Sequence, residues 1–287
     1  MPSTAKTLAQ YIIDVRRLLH DATGNYWSDA ELTDYINEAR DRVVADSGCN
    51  RTKQLSYLTA GIETAAYGGV NGILLTAGGS GFAPDGTYSL GFTGGGNGSG
   101  AAGTYTVTGG IVTVVTLTAQ GSNYTAVPTV TFPTGGGSNA AATAGIILAD
   151  TFDVLNIRLQ WGSMWYQLDY KAFGEMSTLL RSWQTWQQRP VAFSVYGQNT
   201  VYVAPTPDQT YPIELDTNVA PVALVNSTDQ DVIAFPYVGT VKFYAAYLAK
   251  FKEQSYDEAG KFELEYGKRL REALRSSFTR RIASMYT

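Results

Sequence analysis

A few residue sets in the sequence are of the types that perform chemistry, and the glycine-rich segment GSGAAG at residues 98–103 is one of them. Its spacing matches G-x-G-x-x-G, in which a helix follows the last glycine and its N-terminus holds the pyrophosphate of a dinucleotide. The residues that follow here, TYTVTGG, alternate like a strand. The glycine-rich region also has no lysine to reach a phosphate. We therefore expect no nucleotide site.

The single histidine and the single cysteine offer little further chemistry. His20 lies at the predicted end of the first helix, where an imidazole interacts favourably with the helix dipole, although a catalytic role also stays open. Cys49 has no second cysteine for a disulfide, and we interpret it as a small surface or half-buried residue. A zinc site built from several histidines and cysteines is excluded by their number.

Three acidic residues, Asp29, Glu31 and Asp34, lie close enough in sequence to suggest an acid pair or a metal site. Acidic residues in the first turn of a helix also offset its dipole, and this structural explanation is favoured. No acid–base pair or nucleophile remains, so we expect no catalytic residues, no metal and no cofactor. We interpret the protein as a non-enzyme.

Four of the five tryptophans lie between residues 161 and 186: Trp161, Trp165, Trp183 and Trp186. With neighbouring tyrosines they are suited to stack on sugars or nucleobases. Their positions inside predicted strands and a predicted helix favour a hydrophobic core or a subunit interface instead.

The elements that position these residues begin with SDAELTDYINEARDRVV at residues 28–44. Ser28 and Glu31 have the spacing of a capping box, in which two side chains satisfy free backbone N–H groups at a helix start. Trp27 then lies just outside the helix and faces Leu32 across the first turn as a hydrophobic staple. We expect these four residues to fix the direction in which the chain begins the helix.

Apolar residues at helical spacing over residues 8–19 predict a preceding helix, so the N-terminal region is expected to be a helical hairpin. Residues 53–67 are typical of extended chain, with Leu55, Tyr57 and Thr59 on one face of a strand. Further strands and two C-terminal helices follow after residue 146. The predicted fold class is α+β: N- and C-terminal helices around a small β-domain, with an inserted all-β repeat module.

The inserted module is indicated by an abrupt change of composition to Gly, Thr, Ala, Ser and Val, with no Lys or Arg between Lys53 and Arg158. LTAGGSGF at 75–82 recurs as LTAQGSNY at 117–124, a period of roughly 42 residues. Strand-like runs between the glycines predict two hairpin-like halves that pack on each other. A low-complexity linker is the alternative interpretation.

These observations predict three segments. Residues 1–66 form the first part of the core, with the helical hairpin and the first strand. Residues 67–145 form the inserted Gly-rich β-module. Residues 146–287 continue the core with β-strands and then two C-terminal helices.

The C-terminal helix is basic although the chain carries a net charge of −4 and a pI of about 5.1. That overall charge argues against a protein whose main task is to bind nucleic-acid phosphates. The basic run has two interpretations, a solvated helix face or a surface that docks on an acidic partner. Its residues are Lys268, Arg269, Arg271, Arg275, Arg280 and Arg281, opposed only by Glu272.

Three stretches together resemble the head-to-tail adaptor (connector) proteins of tailed bacteriophages. They are VRRLLHDATGNYWSDAELTDYINEARDRVV at 15–44, RPVAFSVYGQNTVYVAPTPDQTYPIELD at 189–216, and the two predicted helices between Pro236 and Tyr286. The resemblance covers the chain except for about residues 67–145, whose repeat is similar to β-modules found in phage virion proteins.

The resemblance implies a structural virion protein at the head-tail junction, assembled in the bacterial host cytoplasm. About twelve copies would form a ring beneath the portal that joins head to tail and lines the DNA channel. The implied partners are the portal protein, tail or nozzle proteins and further copies of this chain; DNA passes through without specific binding, and no membrane is involved.

The resemblance also implies that the C-terminal segment docks on the portal. The candidate docking residues are Arg271, Arg275, Arg280, Arg281, Ile282, Met285 and Tyr286. The alternative function is a phage fibre or baseplate protein that binds a host glycan through its aromatic residues.

Overall fold

A computed structural model describes residues 5–179, 183–197 and 199–277 of the chain. Over these residues the protein is a mixture of five α-helices and a larger number of mostly antiparallel strands. The helices are α1 (Leu8–Leu18), α2 (Asp29–Ser47), α3 (Phe173–Leu179), α4 (Val241–Lys252) and α5 (Tyr256–Ser277).

The strands are β1 (Arg51–Leu58), β2 (Thr64–Ala66), β3 (Val70–Ser80), β4 (Gly86–Ser89), β5 (Gly91–Thr93), β6 (Ser99–Thr108), β7 (Ile111–Ser122), β8 (Thr129–Thr131), β9 (Ser138–Ile146), β10 (Thr151–Trp161), β11 (Met164–Gln167), β12 (Asp169–Tyr170), β13 (Ala192–Tyr196), β14 (Thr200–Ala204) and β15 (Tyr211–Val219). The chain divides into two compact units, one of residues 1–50 with 220–287 and one of residues 51–219.

The first unit contains the four longer helices, α1, α2, α4 and α5, and is called the helical unit below. Each helix buries an apolar stripe at spacings of three and four residues, as expected for an amphipathic helix. The stripes meet in one core, whose buried members include Leu8, Tyr11, Val15, Leu32, Ile36, Val43, Val241, Ala245 and Ala249.

The apolar stripe of α4 differs from the one that the sequence spacing suggests. The three- and four-residue spacing of Val241, Tyr244, Leu248 and Phe251 predicts that Phe251 belongs to this stripe, yet 52% of its surface is exposed. Its ring packs instead against Tyr247 and Tyr256, with centroid distances of 5.9 and 5.5 Å. Phe251 is therefore in contact with aromatic rings near the turn into α5 and is not buried in the core of the helical unit.

The second unit contains all the strands and α3, and is called the β unit below. One sheet has the strand order β1-β15-β10-β11 and another has the order β12-β13-β14-β2. Residues from both sheets share one core, which includes Leu58, Ile157, Leu159, Phe193, Val203 and Leu215.

Strand β1 buries polar side chains and exposes an apolar one. Leu55 and Tyr57 do lie on one face, but Leu55 is 65% exposed, and the buried face carries Gln54, Ser56 and Leu58. The Gln54 amide donates to Thr151 Oγ1 at 2.9 Å and accepts from the backbone N–H of residue 148 at 2.8 Å. These hydrogen bonds make the burial of a polar side chain tolerable.

The Gly-rich repeat forms two further sheets, β3-β9-β8-β5 and β4-β6-β7, around a core of their own. The two repeats are not separate halves as expected from the sequence. Strand β3, which begins the first repeat, pairs with β9, which ends the second. Strand β7, which begins the second repeat, pairs with β6, which ends the first. Each repeat therefore completes a sheet of the other.

The same exchange is visible in two aromatic rings at equivalent repeat positions. Phe82 and Tyr124 are 3% and 2% exposed. A Cβ atom placed on Gly137 would lie 2.3 Å from the Phe82 ring, and one on Gly98 would lie 2.2 Å from the Tyr124 ring. Each ring therefore lies directly on the glycine-rich loop of the other repeat, where only glycine leaves enough space.

The two ends of this segment lie side by side. Tyr67 and Ile147 form a parallel bridge, and the Gly68 N–H donates to the Ile147 carbonyl at 2.6 Å. On β1, the Tyr57 ring contacts the segment where a Cβ on Gly145 would lie only 2.5 Å away. The segment thus leaves and rejoins the rest of the β unit at one place.

Gly137→Ala tests the contact between the Phe82 ring and the opposite loop. The added methyl group overlaps a ring that cannot move freely in a closed core, so we expect a loss of about 1–3 kcal/mol in unfolding free energy. Gly174→Ala in α3 is the control, because nothing lies within 4 Å of the added atom. Denaturant unfolding of the full chain measures both; equal stability of the two variants would contradict the contact.

Candidate assembly surfaces

Ser28 is the N-cap of α2 and forms a capping box with Glu31. The Ser28 hydroxyl accepts from the Glu31 N–H at 3.2 Å, and the Glu31 carboxylate accepts from the Ser28 N–H at 3.4 Å. Trp27 packs edge-on against Tyr35, with the ring centroids 6.1 Å apart. It is half-buried against the helical core, which includes Leu32. That these residues fix the direction of α2 stays a prediction.

The turn between α1 and α2 is organised by the buried carboxylate of Asp21, which is 3% exposed. This carboxylate accepts the backbone N–H groups of Asn25 at 2.9 Å, Tyr26 at 3.3 Å and Trp27 at 3.1 Å. Burial by itself raises the pKa of Asp21, but the three N–H groups and the charge of Arg16 together lower it below its usual value. The turn is therefore built around an ionised side chain.

Arg16 of α1 closes the same turn from the other side. Its guanidinium donates to the Trp27 carbonyl at 2.9 Å and to Asp29 at 2.8 Å. Gly24 has a φ of 72°, and a Cβ there would lie 2.0 Å from the Arg16 guanidinium. The turn thus favours glycine for its backbone conformation, and a larger residue would also displace the Arg16 guanidinium.

Lys252, the last residue of α4, joins the start of α2. Its ammonium forms an ion pair with Glu31 and lies 5.8 Å from the centroid of the Trp27 ring. The hydrogen bond from Lys252, followed by the one from the Ser28 N–H, lowers the pKa of the Glu31 carboxyl. Three helices therefore meet at this corner, α1 through Arg16, α2 through Glu31 and α4 through Lys252.

The centre of the helical unit contains a buried ion pair. Arg40 on α2 is 1% exposed and Asp231 is 4% exposed. Arg40 Nε and Nη2 donate to Asp231 Oδ1 at 3.0 and 2.9 Å, and the Tyr11 hydroxyl donates to Asp231 Oδ2 at 2.5 Å. Burial, and then the negative charge of Asp231, raise the pKa of Tyr11, which therefore stays a hydrogen-bond donor.

The same contact region joins the N-terminal helices to the segment that returns from the β unit. Arg40 also donates to the Val222 carbonyl at 2.9 Å, and the Asn37 amide exchanges hydrogen bonds with the backbone of Leu224 at 2.9 and 3.0 Å. The Leu8 N–H donates to the Asp229 carbonyl at 3.1 Å. Residues from both ends of the chain thus build one core.

Sequence reasoning missed this ion pair, although a signal for it was present. Arg40 lies four residues after Ile36 and three before Val43, so it falls on the apolar stripe of α2. An arginine on such a stripe requires a buried carboxylate, because an unpaired buried charge is very costly. The partner lies 191 residues away and only the structure identifies it.

The basic C-terminal helix is described as far as residue 277. Arg271 and Arg275 are exposed on α5, whereas Arg269 forms ion pairs with Glu265 and Glu272. Arg271 donates to the backbone carbonyl of residue 267 at 3.0 Å. The other candidate docking residues lie outside the described residues: Arg280, Arg281, Ile282, Met285 and Tyr286.

The tryptophans of the β unit divide into two groups. Trp183 is 4% exposed and packs against Phe173 and Tyr202, as a core residue does. Trp161, Trp165 and Trp186 are 51%, 41% and 49% exposed. These three side chains are too exposed to be core residues, so packing inside the β unit does not explain why they are tryptophans.

The structure shows where the dinucleotide-like motif, Cys49 and the possible metal ligands lie. Residues 98–103 lie largely in β6, so a strand follows the last glycine of the dinucleotide-like motif. Burial raises the pKa of the Cys49 thiol. Within the described residues, no group of three or more His, Cys, Asp or Glu side chains is arranged to hold a metal ion. In the same part of the chain, no helix is both long and apolar enough to cross a membrane.

Comparison with known proteins gives one family. The model of the family described as SU10 adaptor protein matches residues 6–286. None of the curated proteins matches the chain.

Arg40→Gln tests the buried ion pair by leaving the Asp231 carboxylate without its cation. We expect the unfolding free energy to fall by about 3–5 kcal/mol. Arg42→Gln on the same helix removes an exposed ion pair with Asp46 and should cost less than about 1 kcal/mol. Tyr11→Phe removes only the hydroxyl that donates to Asp231 and should cost about 1.5–3 kcal/mol.

Thermal and denaturant unfolding of the unmodified chain and of the three variants measures these differences in unfolding free energy. If Arg40→Gln and Tyr11→Phe were both as stable as Arg42→Gln, the buried pair would not be what holds the helical unit together.

Proposed function

The chain belongs to the SU10 adaptor protein family and is a phage adaptor-type structural protein; from this membership we propose that it is a head-to-tail adaptor of a tailed phage. About twelve copies form a closed ring beneath the portal, join the head to the tail and line the DNA channel. The observation that carries the proposal is that the family match spans residues 6–286, and so includes both compact units. The role is structural and not catalytic.

Within this proposal the helices at both chain ends precede and follow a small β-domain along the sequence, and residues 67–145 are an inserted module. Two features support the insertion. The repeat has a hydrophobic core separate from that of the remaining β unit. Its two ends lie side by side at Tyr67 and Ile147, as they must where a module interrupts a parent fold.

The exposed part of α5 supports docking on the portal. Arg271 and Arg275 are exposed, and neither forms an ion pair with any of the described residues. The chain as a whole is acidic, with a net charge of −4. Lys268, Arg269, Arg271 and Arg275 lie in the second half of α5 with only Glu272 among them, and basic residues concentrated in this way steer that end of the helix towards an acidic partner surface.

Exposed apolar residues support contacts with neighbouring subunits. Val222, Val225 and Phe235 are 74%, 75% and 72% exposed, and all three lie in the short segment that leads from the β unit into α4. Single exposed apolar residues are common, but a group in one segment is typical of a contact surface. We propose that a neighbouring subunit covers this segment in the ring.

The net charge also suits the proposed channel. DNA must move through the ring without being held, and a protein surface that lacks an excess of Lys and Arg binds phosphates weakly. A chain of net charge −4 meets this requirement.

The experiment that tests the adaptor role mixes the purified full chain with portal rings of the same phage and measures complex formation by native mass spectrometry and binding kinetics. We expect a cyclic complex with several copies of the chain on each portal ring. Arg275→Glu should slow association and alter its salt dependence, because the steering charge is reversed.

Arg17→Glu in α1 is the matched control, since its side chain is 74% exposed and the charge change is the same. Failure of the unmodified chain to bind portal rings would contradict the adaptor role. Binding of Arg275→Glu at the rate of Arg17→Glu would contradict only the docking surface.

Deletion of the repeat tests its place in the assembly. Replacing residues 67–145 by a short Gly/Ser linker joins chain ends that already lie side by side. Because the module has a hydrophobic core of its own, we propose that it lies on the outside of the ring, and we expect the shortened protein to bind portal rings as the full chain does. Far-UV circular dichroism of the deletion confirms that the remaining units fold; a folded deletion that no longer binds would place the module in the joint.

A further inference from the structure

The β unit has a cleft of about 430 Å³ that is lined by two of its exposed tryptophans, Trp161 and Trp186. It lies between the β10–β11 hairpin, the segment before β13 and the loop before β15. The side chains that characterise it are Trp161, Trp186, Arg189, Asp208, Gln209 and Tyr211. A cavity of this volume is of the size that holds a small organic ligand.

Arg189 lies over two aromatic rings of the hairpin, Trp161 and Tyr166. Its guanidinium carbon lies 4.4 Å from the centroid of Trp161 and 4.7 Å from that of Tyr166. The residues described by the structure offer it no ion pair and no side-chain hydrogen bond. The stacked faces are used by the protein, and the N–H groups at the edge of the guanidinium are available to an anion.

The backbone on both sides of Arg189 is fixed. The N–H of Gln188 donates to the Thr206 carbonyl at 2.9 Å, and the N–H of Val191 donates to the Ala204 carbonyl at 2.9 Å. The segment is therefore held against the end of β14. A guanidinium with a fixed backbone and stacked faces loses little freedom when it binds a ligand.

The opposite wall of the cleft is polar. Asp208 is exposed, and its Oδ1 accepts from the Tyr211 hydroxyl at 2.7 Å. The second carboxylate oxygen of Asp208 and the exposed amide of Gln209 are suited to hydroxyl groups of a ligand. Trp161 and Trp186, each about half exposed, supply apolar surface beside these groups.

The geometry points to a binding site for a carboxylated sugar, a uronic acid or a sialic acid, in this cleft. The sugar carboxylate pairs with Arg189 in a bidentate hydrogen bond. The apolar face of the sugar ring packs on the Trp186 indole, and ring hydroxyls donate to Asp208 and bond to Gln209. The inference goes beyond the adaptor role and does not depend on it.

An acidic peptide segment fits the same cleft less well. The cleft contains one cation, Arg189, and one anion, Asp208, so the ligand must bring both an acceptor and hydroxyl donors. A sugar acid carries a carboxylate, several hydroxyls and an apolar ring face in one compact molecule. An aspartate or glutamate side chain carries only the carboxylate, and has neither hydroxyl groups for Asp208 nor an apolar ring face for Trp186.

Titration of the full chain with D-glucuronate, followed by tryptophan fluorescence and NMR chemical shifts, tests the site. For a monosaccharide we expect a Kd of about 1–10 mM, with D-glucose about tenfold weaker because it lacks the carboxylate. Arg189→Gln should bring glucuronate down to the affinity of glucose. Trp186→Ala should weaken both sugars about tenfold.

Trp165→Ala is the matched control, because the hairpin register places Trp165 on the face opposite Trp161. It should leave both affinities unchanged. Absence of binding at about 50 mM glucuronate would overturn the inference, as would equal loss in Trp165→Ala and Trp186→Ala. N-acetyl-L-glutamate that binds as tightly as glucuronate would overturn it in favour of an acidic peptide site.

Discussion

The helical unit depends on the ion pair between Arg40 and Asp231. A charge with 1% exposure cannot remain without a partner, so α2 reaches its packed position only when the segment around Asp231 lies against it. Tyr11 adds α1 to the same carboxylate. Buried ion pairs contribute little net stability when compared with a well-packed apolar cluster. Their effect here is to specify one arrangement, in which residues from the two ends of the chain form a single core.

Weaker, partly exposed ion pairs also join the helices at the start of α2. Arg16, Glu31 and Lys252 are each partly exposed, and such pairs contribute little individually. They act together with the capping box and with the N–H groups gathered by Asp21. The central pair joins segments that are far apart in the sequence, and the contacts at the start of α2 join α1, α2 and α4.

Local patterns in the sequence predicted the four longer helices, the capping box of α2 and many of the strands, because capping boxes and apolar spacing act within a few residues. They could not identify the Arg40 partner, 191 residues away, or the buried face of β1, where Gln54 is buried with hydrogen bonds and Leu55 is exposed. The repeat shows the same limit. The two copies of the repeat were visible in the sequence. Strands that pair within one copy and strands that pair between copies have the same alternation of residues, so the sequence does not distinguish them. The packing of Phe82 and Tyr124 on the loop of the opposite copy is a long-range contact that favours pairing between copies.

The separation of Arg40 from Asp231 also has a consequence for synthesis. The ribosome makes α1 and α2 first, and the carboxylate that completes their core follows 191 residues later. At about 5–20 residues per second, the delay is about 10–40 s. During this time burial of Arg40 between the nascent helices would cost free energy, because its charge has no partner. We expect the apolar stripes of these helices to stay unpacked or to be covered by a chaperone. The β unit already has all its residues and can fold. We therefore expect the β unit, which is complete at residue 219, to be able to fold before the helical unit, although translation proceeds from one end.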